Sequence, residues 1–511
     1  MRPFLLACLG LVVSGCQAPE YDDPPATTSL AEVPAEEVRL PAQPLLAAEL
    51  SPFERALGDR MRAVAETTVE VEMWSGEDLV GHGSGVLVSK DGDVLTAAHV
   101  AKDPRLDLRV VLADGQHRRA VVAARDEAHD AALLHAPGAA TAFLRPRAEP
   151  LEPGGWVICA GHGGEVPGER VPMRSAGVVV QRGFAWTVTE YEGPARHRRA
   201  AKTTTFPGML ALDCATAPGM SGGPVVDLDG DLVGVVVGSG GVASSIEAIR
   251  HLLPAASRAR EVTPPRSPPA ASPPLRRSEG RPSRAATLEP MFASPGVERS
   301  LLVLHVDGGI GVSRFDAVLV STDGLAVAPA LPLQGMTELD DRTVRANITV
   351  EGHPGARCAE VVAVEGEVAL IRIAGLPPLA PEERDTSPGG LRPVGPPGTA
   401  ALGEYVAAVS PRGRAFGFVT ALDRHPGTVQ PDPPTWGCGT LRMRFQRSHP
   451  PVTVTSALTH DAGGWTEPGS VLVDRSGRPV AIVVAERAPG LGFAVPWSEV
   501  VDRFQAWLDP S

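Results

Sequence analysis

The sequence predicts an all-β protein built from two similar halves. Aromatic residues make up only 4% of the 511 residues, whereas glycine and proline number 55 and 51. This composition suits many short strands joined by turns. Residues 68–74 alternate strictly in polarity, as expected for a strand with two different faces. A second series of similar segments follows residue 296, which indicates tandem β domains.

The first half, residues 53–253, begins with a helical pattern over residues 53–66. Strand patterns follow at residues 68–74, 86–88 and 108–112, each bounded by residues that favour turns. The order of these segments predicts one helix followed by a β domain.

Residues 90–93 and 227–230 each contain a glycine where a hairpin turn requires a positive φ. The closely spaced aspartates of residues 227–230 make a calcium loop the alternative. The twelve-residue spacing and terminal glutamate of an EF-hand are missing, so a turn is preferred. Neither a metal ion nor another cofactor is predicted.

Three segments carry the residue types that acyl transfer requires. A serine hydroxyl becomes a good nucleophile when an imidazole takes its proton, and the imidazole needs a carboxylate to hold its tautomer. His99, Asp130 and Ser221 occur in that order, and Ser221 lies in the glycine-rich run of residues 219–224. We predict His99 as the general base, Asp130 as its partner and Ser221 as the nucleophile. The backbone amides of Gly219 and Ser221 are predicted to form the oxyanion hole.

At these residues the chain resembles the trypsin-like serine peptidases, particularly their HtrA-like branch. Residues 83–89, Gly-Ser-Gly-Val-Leu-Val-Ser, resemble the stretch that precedes the histidine of that branch. The resemblance implies a double β-barrel and hydrolysis of peptide bonds through an acyl-enzyme. The alternative is a non-catalytic binding or scaffold protein of the cell envelope that keeps protease-like barrels.

The resemblance places the substrate pocket at Ala215, Val237, Gly238 and Ser239. Trypsin has its substrate-binding aspartate at the position of Ala215, six residues before the nucleophile. A pocket without that carboxylate has nothing to pair with Lys or Arg, so small or medium apolar side chains are expected. Met220 stands where the HtrA-like branch usually has asparagine, and methionine lacks the hydrogen bonds of that amide.

Cys159 and Cys214 belong to segments that run together beneath the pocket of the resembled fold. A disulfide between them is therefore possible, and an exported compartment permits it. Two buried free thiols are the alternative.

Residues 293–511 repeat the first half and are predicted to be a degenerate trypsin-like pseudo-protease domain. In the aligned repeats Leu331 falls at the position of His99, and leucine cannot accept a proton. Residues 468–474 echo residues 218–227 with the serine turn shortened.

The N-terminus carries the pattern of a secretory signal. Residues 1–16 combine a positive residue, an apolar run and a final Ser-Gly-Cys that resembles a bacterial lipobox. This predicts lipidation at Cys16 and an anchor in the bacterial cell envelope, at the outer membrane, its periplasmic side or the cell surface. An ordinary signal with an incidental cysteine is the alternative. Residues 17–52 are predicted to be a disordered tether, and residues 254–292 a Pro/Ser/Arg-rich linker.

The net charge of −13 argues against a nucleic-acid partner, because no basic excess is present to neutralise phosphates. Protein or peptide substrates and the membrane, through Cys16, are the predicted partners. The sequence leaves the oligomeric state open.

Overall fold

The structure is a computed structural model in which Leu50–Ser511 form one compact unit. The predicted signal peptide, Cys16 and nearly all of the predicted tether lie outside the described residues. The residues described are 51–138, 142–163, 172–192, 199–238, 240–254, 273, 275–292, 296–307, 312–330, 333, 347–350, 358–376, 391, 393–424, 427–429, 452–454, 457–462, 468–488 and 490–508.

Helix α1 spans Pro52–Thr67, in agreement with the predicted helical pattern. Ser51 caps it, because its side chain accepts a hydrogen bond from the Glu54 amide while Glu54 accepts one from the Ser51 amide. Ser51 and Pro52 therefore belong to the folded unit and not to the predicted tether.

The first half contains two β-barrels. The first is closed in the order β1-β2-β3-β6-β5-β4. In the second, seven strands follow the order β11-β8-β9-β10-β13-β12-β7, and β11 also pairs with β12. The strands are β1 (Thr68–Ser75), β2 (Asp78–Leu87), β3 (Asp93–Ala97), β4 (Asp107–Val111), β5 (His117–Asp126), β6 (Ala131–His135), β7 (Arg145–Pro146), β8 (Trp156–Gly161), β9 (Met173–Glu192), β10 (Arg199–Leu212), β11 (Pro224–Asp227), β12 (Asp231–Gly238) and β13 (Val242–Ser245). Helix α2 (Ile246–Ile249) and a 3₁₀ turn (Arg250–Leu252) end this half.

The second half repeats this plan with a six-stranded sheet, β19-β16-β17-β18-β21-β20, and a closed barrel, β22-β23-β26-β29-β28-β27. Its strands are β16 (Leu301–Asp307), β17 (Val312–Leu319), β18 (Leu325–Pro329), β19 (Asn347–Val350), β20 (Cys358–Glu365), β21 (Val368–Ala374), β22 (Tyr405–Ser410), β23 (Gly413–Arg424), β24 (Gly427–Val429), β25 (Val452–Val454), β26 (Ala457–His460), β27 (Val471–Val473), β28 (Pro479–Ala488) and β29 (Leu491–Pro496). A terminal helix, Trp497–Leu508, follows.

The two halves share their strand register. In β2 and β3 Val86 lies opposite Leu95, and in β17 and β18 Val318 lies opposite Val327. Both pairs lie at the same positions of the aligned repeats. The predicted fold class, all-β with tandem double barrels, is therefore confirmed.

The predicted linker is only partly a spacer, and this corrects the sequence interpretation. Residues 255–272 and 274 lie outside the described residues, but the rest of its C-terminal part is folded. It forms the hairpin β14 (Arg276–Ser278) and β15 (Arg281–Ser283) and then helix α3 (Arg284–Leu288). The composition of the linker indicated a solvated segment, whereas Arg284 is buried beside the carboxylate of Asp461, which neutralises its charge.

An aromatic cluster packs α1 against the second barrel of each half. The Phe53 ring lies 5.1 Å from the Trp156 ring and 6.0 Å from the Tyr405 ring, measured between centroids. Trp156 also contacts Phe418 edge-on at 5.9 Å. These residues belong to one hydrophobic core that includes residues of both halves, so the halves are not independently packed.

Glu54 binds α1 to the second half through a buried carboxylate. Its side chain is fully buried, accepts a hydrogen bond from the Tyr405 amide at 3.0 Å and lies 3.1 Å from the Arg475 guanidinium. A buried carboxylate is stable here because each oxygen has a donor. Among the described residues, no helix is long and apolar enough to cross a bilayer.

His460 is a buried histidine that is expected to make stability depend on pH. It is fully buried, and neither ring nitrogen has a hydrogen-bond partner among the described residues. Burial lowers the pKa of His460 from 6.5 to about 4. Leu212 holds the equivalent position in the first half, since the next residues, Asp213 and Asp461, donate matching backbone hydrogen bonds.

We predict that His460→Leu abolishes one part of the acid sensitivity. Between pH 6.5 and 4, His460 is protonated in the unfolded chain but stays neutral in the native protein. The free energy of unfolding therefore falls as the pH falls. This contribution reaches roughly 3 kcal/mol at pH 4. Urea unfolding from pH 7.5 to 4 should show the variant gaining that amount relative to wild type. Parallel stability curves for the two proteins would contradict the assignment.

Candidate active site

His99 lies in the turn that follows β3, at the rim of the first barrel. Strand β3 is fixed on both sides, because Thr96 lies opposite Gly85 of β2 and Ala132 of β6. The imidazole is 45% exposed, so it can reach a ligand at the surface while its backbone is held by the barrel.

Asp130 directly precedes β6 and holds His99 through both carboxylate oxygens. One oxygen lies 2.7 Å from His99 Nδ1, and the other accepts the His99 backbone N–H at 2.9 Å. The Asp130 carbonyl also accepts the Ala98 amide at 3.0 Å. The backbone of Asp130 takes a φ of 49°, a conformation that aspartate tolerates better than most residues. Since the carboxylate only accepts, Nδ1 carries the proton and Nε2 stays basic.

Ser221 lies in the turn before β11, and two glycines shape this turn. Gly219 has a φ of 91°, and a Cβ at this position would come within 2.5 Å of the His162 carbonyl oxygen. Gly222 has a φ of 93°, and a Cβ there would overlap the Ser84 carbonyl oxygen. Only glycine fits both positions.

Ser84 of β2 ties this turn to the first barrel, a role that the sequence reasoning missed. It is fully buried, and its hydroxyl donates to the Gly219 carbonyl and accepts the His162 amide, both at 2.7 Å. Its amide donates to the Ser221 carbonyl at 2.8 Å, and its carbonyl accepts the Thr96 hydroxyl at 2.6 Å. The sequence signal for this role is a serine placed between two glycines of a strand, residues 83–85.

Val100, the residue after His99, and the backbone of Ser221 both lie next to Gly83 of β2. A Cβ on Gly83 would lie 2.7 Å from the Val100 side chain and 3.2 Å from the Ser221 carbonyl oxygen. No hydrogen bond joins the His99 imidazole to the Ser221 hydroxyl within the described part of the chain. Such contacts in free proteases are often long and tighten when substrate binds.

The two predicted oxyanion donors are available for a ligand. Over the described ranges, neither the Gly219 amide nor the Ser221 amide donates a hydrogen bond. The intervening Met220 amide instead donates to the Ala217 carbonyl at 3.1 Å. Of the three successive amides, only that of Met220 is used in the hydrogen bonds of the turn.

Met220 orders the turn by packing and not through an amide side chain. It is fully buried, and Gly161 and Gly163 leave room for it, since a Cβ on either would lie within 3.2 Å of Met220 atoms. Its sulfur accepts the Ala217 amide at 3.3 Å. Methionine cannot make the hydrogen bonds of an asparagine amide, but its sulfur supplies one acceptor within this loop.

Three of the four predicted pocket residues are described, and Ser239 lies outside the described residues. Ala215 is joined to β9 by its amide, which donates to the Ser175 hydroxyl at 2.9 Å. Thr216 donates to the Gly238 carbonyl at 3.0 Å, so the two walls of the predicted pocket lie side by side. Val237 is buried.

Trp186 of β9 contacts the same wall. A Cβ on Gly238 would lie 2.9 Å from its ring. An open cavity of about 560 Å³ adjoins His99. It is lined by the apolar residues Met73, Val100 and Leu106 and by charged residues that include Lys102 and Asp103.

Cys159 and Cys214 are buried free thiols, so the possible disulfide is not present. The Cys159 side chain, together with burial, raises the pKa of Cys214 well above its usual value. A thiol in this state is a poor nucleophile.

The corresponding turn of the second half has the same backbone path. The Gly222 amide donates to the Val236 carbonyl, and the Gly469 amide donates to the Val483 carbonyl, both at 2.7 Å. Gly469 has a φ of 95° and so takes the place of Gly222.

Pro468 therefore stands where the first half has its serine. The Ser84 amide donates to the Ser221 carbonyl at 2.8 Å, and the Asp316 amide donates to the Pro468 carbonyl at 3.1 Å. Ser470 lies two residues further along, in the position of the second glycine after the nucleophile. It is buried, and its hydroxyl has no partner among the described residues.

Glu367 occupies the place of Asp130 but has a different partner. The Ala98 amide donates to the Asp130 carbonyl at 3.0 Å, and the Ala330 amide donates to the Glu367 carbonyl at 2.8 Å. The fully buried Glu367 carboxylate pairs with Arg503 of the terminal helix at 2.8 Å. The Glu367 carboxylate thus joins the second half to its terminal helix through an ion pair.

Comparisons with known proteins agree with the geometry of the first half. Residues 83–235 match the family model of the trypsin-like peptidase domain. A probable periplasmic serine endoprotease, DegP-like, of Chlamydia muridarum is 32% identical over 176 residues, which cover 34% of this chain and 32% of that protein. Serine protease HTRA1 of Xenopus laevis is 29% identical over 189 residues, which cover 35% of this chain and 37% of that protein. The chain thus spans about a third of the length of these relatives.

Among solved structures, the Rv3671c protease from M. tuberculosis in its active form is similar to 40% of this chain. The match covers 86% of that chain, with 21% identity and a TM-score of 0.32.

We predict that Met220→Ala destabilises the protein by about 2–5 kcal/mol, because it leaves a cavity beneath the turn and removes the sulfur acceptor. Met220→Leu should cost less than about 1.5 kcal/mol, since it keeps the volume. Chemical denaturation measures both. Equal stability of the two variants would contradict a packing role for Met220.

Proposed function

We propose that this protein, whose residues 83–235 are a trypsin-like peptidase domain similar to HtrA proteases, is a serine endopeptidase. The observation that carries the proposal is the double hydrogen bond of Asp130 to His99 beside the Ser221 turn. This arrangement fixes an imidazole with a basic outer nitrogen next to a serine and two unused amides.

In the proposed reaction His99 takes the proton of Ser221, and the serine oxygen attacks the scissile carbonyl of a protein or peptide. Asp130 holds the tautomer and stabilises the imidazolium that forms. The amides of Gly219 and Ser221 stabilise the oxyanion, and losing one such donor typically raises the barrier by about 3–4 kcal/mol. The imidazolium then protonates the leaving amine, and water hydrolyses the acyl-enzyme.

The proposed substrate pocket prefers small or medium apolar side chains. Ala215 gives it no carboxylate, and Val237 and Gly238 form its other wall. Ser239 belongs to the same proposed wall. A free lysine or arginine side chain would lose its hydration there without gaining a partner.

We propose that the second half is non-catalytic. Pro468 holds the nucleophile position, and Glu367 is paired with Arg503. Leu331, which lies outside the described residues, replaces the histidine in the aligned sequence. None of these groups can repeat the proposed proton transfer.

We further propose that the protein is a lipoprotein of the bacterial cell envelope, anchored through Cys16. The lipobox-like end of residues 1–16 supports this location, and relatives named as periplasmic endoproteases agree with it.

We predict that a fluorophosphonate probe labels Ser221 and no other residue. Ser221→Ala and His99→Ala should each abolish labelling and lower kcat by about 10⁶-fold, because the residues act as a unit. Asp130→Asn should lower kcat by about 10⁴-fold through the wrong tautomer. Mass spectrometry of the labelled peptide and steady-state kinetics measure these effects.

Ser470→Ala is the matched control, since it removes a buried serine hydroxyl from the equivalent turn. It should leave labelling unchanged. A folded wild-type protein that takes no label would instead support the alternative, a non-catalytic envelope scaffold built of protease-like barrels.

We predict that Cys16→Ser releases the protein from membranes. Diacylation adds about 0.8 kcal/mol of membrane affinity per buried methylene, and the variant loses all of it. Fractionation of cells and mass spectrometry of the mature N-terminus measure the change. Wild-type protein found soluble, or processed beyond Cys16, would defeat the lipoprotein proposal.

A further inference from the structure

Arg284 is a buried cation between the two halves. It begins helix α3, and its side chain is only 5% exposed. Its guanidinium donates to Asp461 of the second half at 2.9 Å and to the Ala176 carbonyl of the first half at 2.5 Å. Its backbone amide donates to the Asp213 carboxylate at 2.6 Å. One residue therefore contacts carboxylates from both halves.

Asp213 and Asp461 occupy the same position in the two repeats. The Asp213 amide donates to the Val178 carbonyl at 2.9 Å, and the Asp461 amide donates to the Phe418 carbonyl at 3.1 Å. Arg284 is thus bound by one aspartate of each repeat, close to where the two second barrels meet. The two aspartates that bind Arg284 therefore come from the same position of the repeat.

The Asp461 carboxylate reaches across to strand β9 of the first half. It is fully buried and accepts the amides of Ala176 at 2.6 Å and Phe418 at 2.7 Å. Ala176 directly follows Ser175 on β9. Burial raises the pKa of Asp461, and the Arg284 charge beside it opposes that rise. Three donors hold the anion: the Arg284 guanidinium and the amides of Ala176 and Phe418.

The hydrogen bonds around Arg284 and Asp461 extend to the candidate pocket. Ser175, whose neighbour Ala176 donates its amide to Asp461, accepts the Ala215 amide through its hydroxyl at 2.9 Å. Asp213, which accepts the Arg284 amide, is only two residues from Ala215 along the chain. The hydrogen bonds of Ser175 and of Arg284 therefore both hold residues 213–215, which form one wall of the proposed pocket.

We propose that Asp461 of the second half is a positioning residue for the substrate pocket of the first half, acting through the Ser175–Ala176 segment of β9 and through Arg284. This inference rests on the proposed function and assigns the second half a role in it. The second half completes the network that holds the pocket wall, so its loss of catalytic groups does not make it dispensable.

The test compares three substitutions at buried polar groups. Asp461→Asn keeps the shape of the side chain but removes the charge, and Ser175→Ala removes the hydroxyl that accepts the Ala215 amide. Glu367→Gln is the matched control, because it breaks a buried ion pair within the second half that does not touch the pocket. Free energies of unfolding are measured for all three, and Ser175→Ala carries the test if Asp461→Asn does not fold.

Asp461→Asn and Ser175→Ala are expected to lower kcat/KM for apolar peptides about 10- to 100-fold, mainly through KM, as a wall displaced by about 1 Å would do. Ser175→Thr, which keeps the hydroxyl, should restore part of the loss. The rate of fluorophosphonate labelling at Ser221 should stay within about twofold, since that probe tests the nucleophile more than the pocket. Glu367→Gln should lower stability and leave KM unchanged.

The same comparison is made without turnover by measuring peptide binding in a Ser221→Ala background. Weaker binding with Asp461→Asn, but not with Glu367→Gln, supports the positioning role even if the wild-type protein takes no probe and the proposed activity fails. Equal peptide affinity in all variants, or no peptide binding at all, overturns the inference. A KM change of the same size in Glu367→Gln also overturns it, because the effect would then follow general loss of stability.

Discussion

The junction between the two second barrels is the constraint on which the rest of the structure depends. Phe53, Trp156 and Tyr405 form its apolar centre, so each half lacks part of its core without the other. Polar groups trapped in such a junction are stable only when every charge has a partner. Glu54 with Arg475, and Arg284 with Asp461, meet that condition.

The candidate site depends on a second junction, between the two barrels of the first half. His99 and Asp130 belong to one barrel and Ser221 to the loop that enters the other, so their distance is set by how the barrels meet. Ser84 fixes that meeting through its hydroxyl and both backbone groups. The candidate site is therefore held by a buried hydroxyl that lies outside the proposed proton transfer.

Much of the fold and of the candidate site could be predicted, because the information is local in the sequence. Residues 68–74 show a strand by their alternation, and the glycines beside Ser221 show a tight turn. The partnership of Arg284 and Asp461 could not be predicted, since 177 positions separate them and composition alone suggested a solvated linker. The state of Cys159 and Cys214 was likewise left open by their spacing.

The proline at position 468 has a consequence for the history of the repeat. A catalytic serine of this fold supplies two groups, a hydroxyl for attack and a backbone N–H for the oxyanion, and proline has neither. The ring also fixes φ near −65°, so the turn can keep its course while both groups are gone. A return to catalysis would need the histidine and the serine together, and no single substitution would give selection an intermediate with partial activity. The proposed loss of catalysis in the second half would therefore be hard to reverse, which leaves that half free to be kept for its contacts alone.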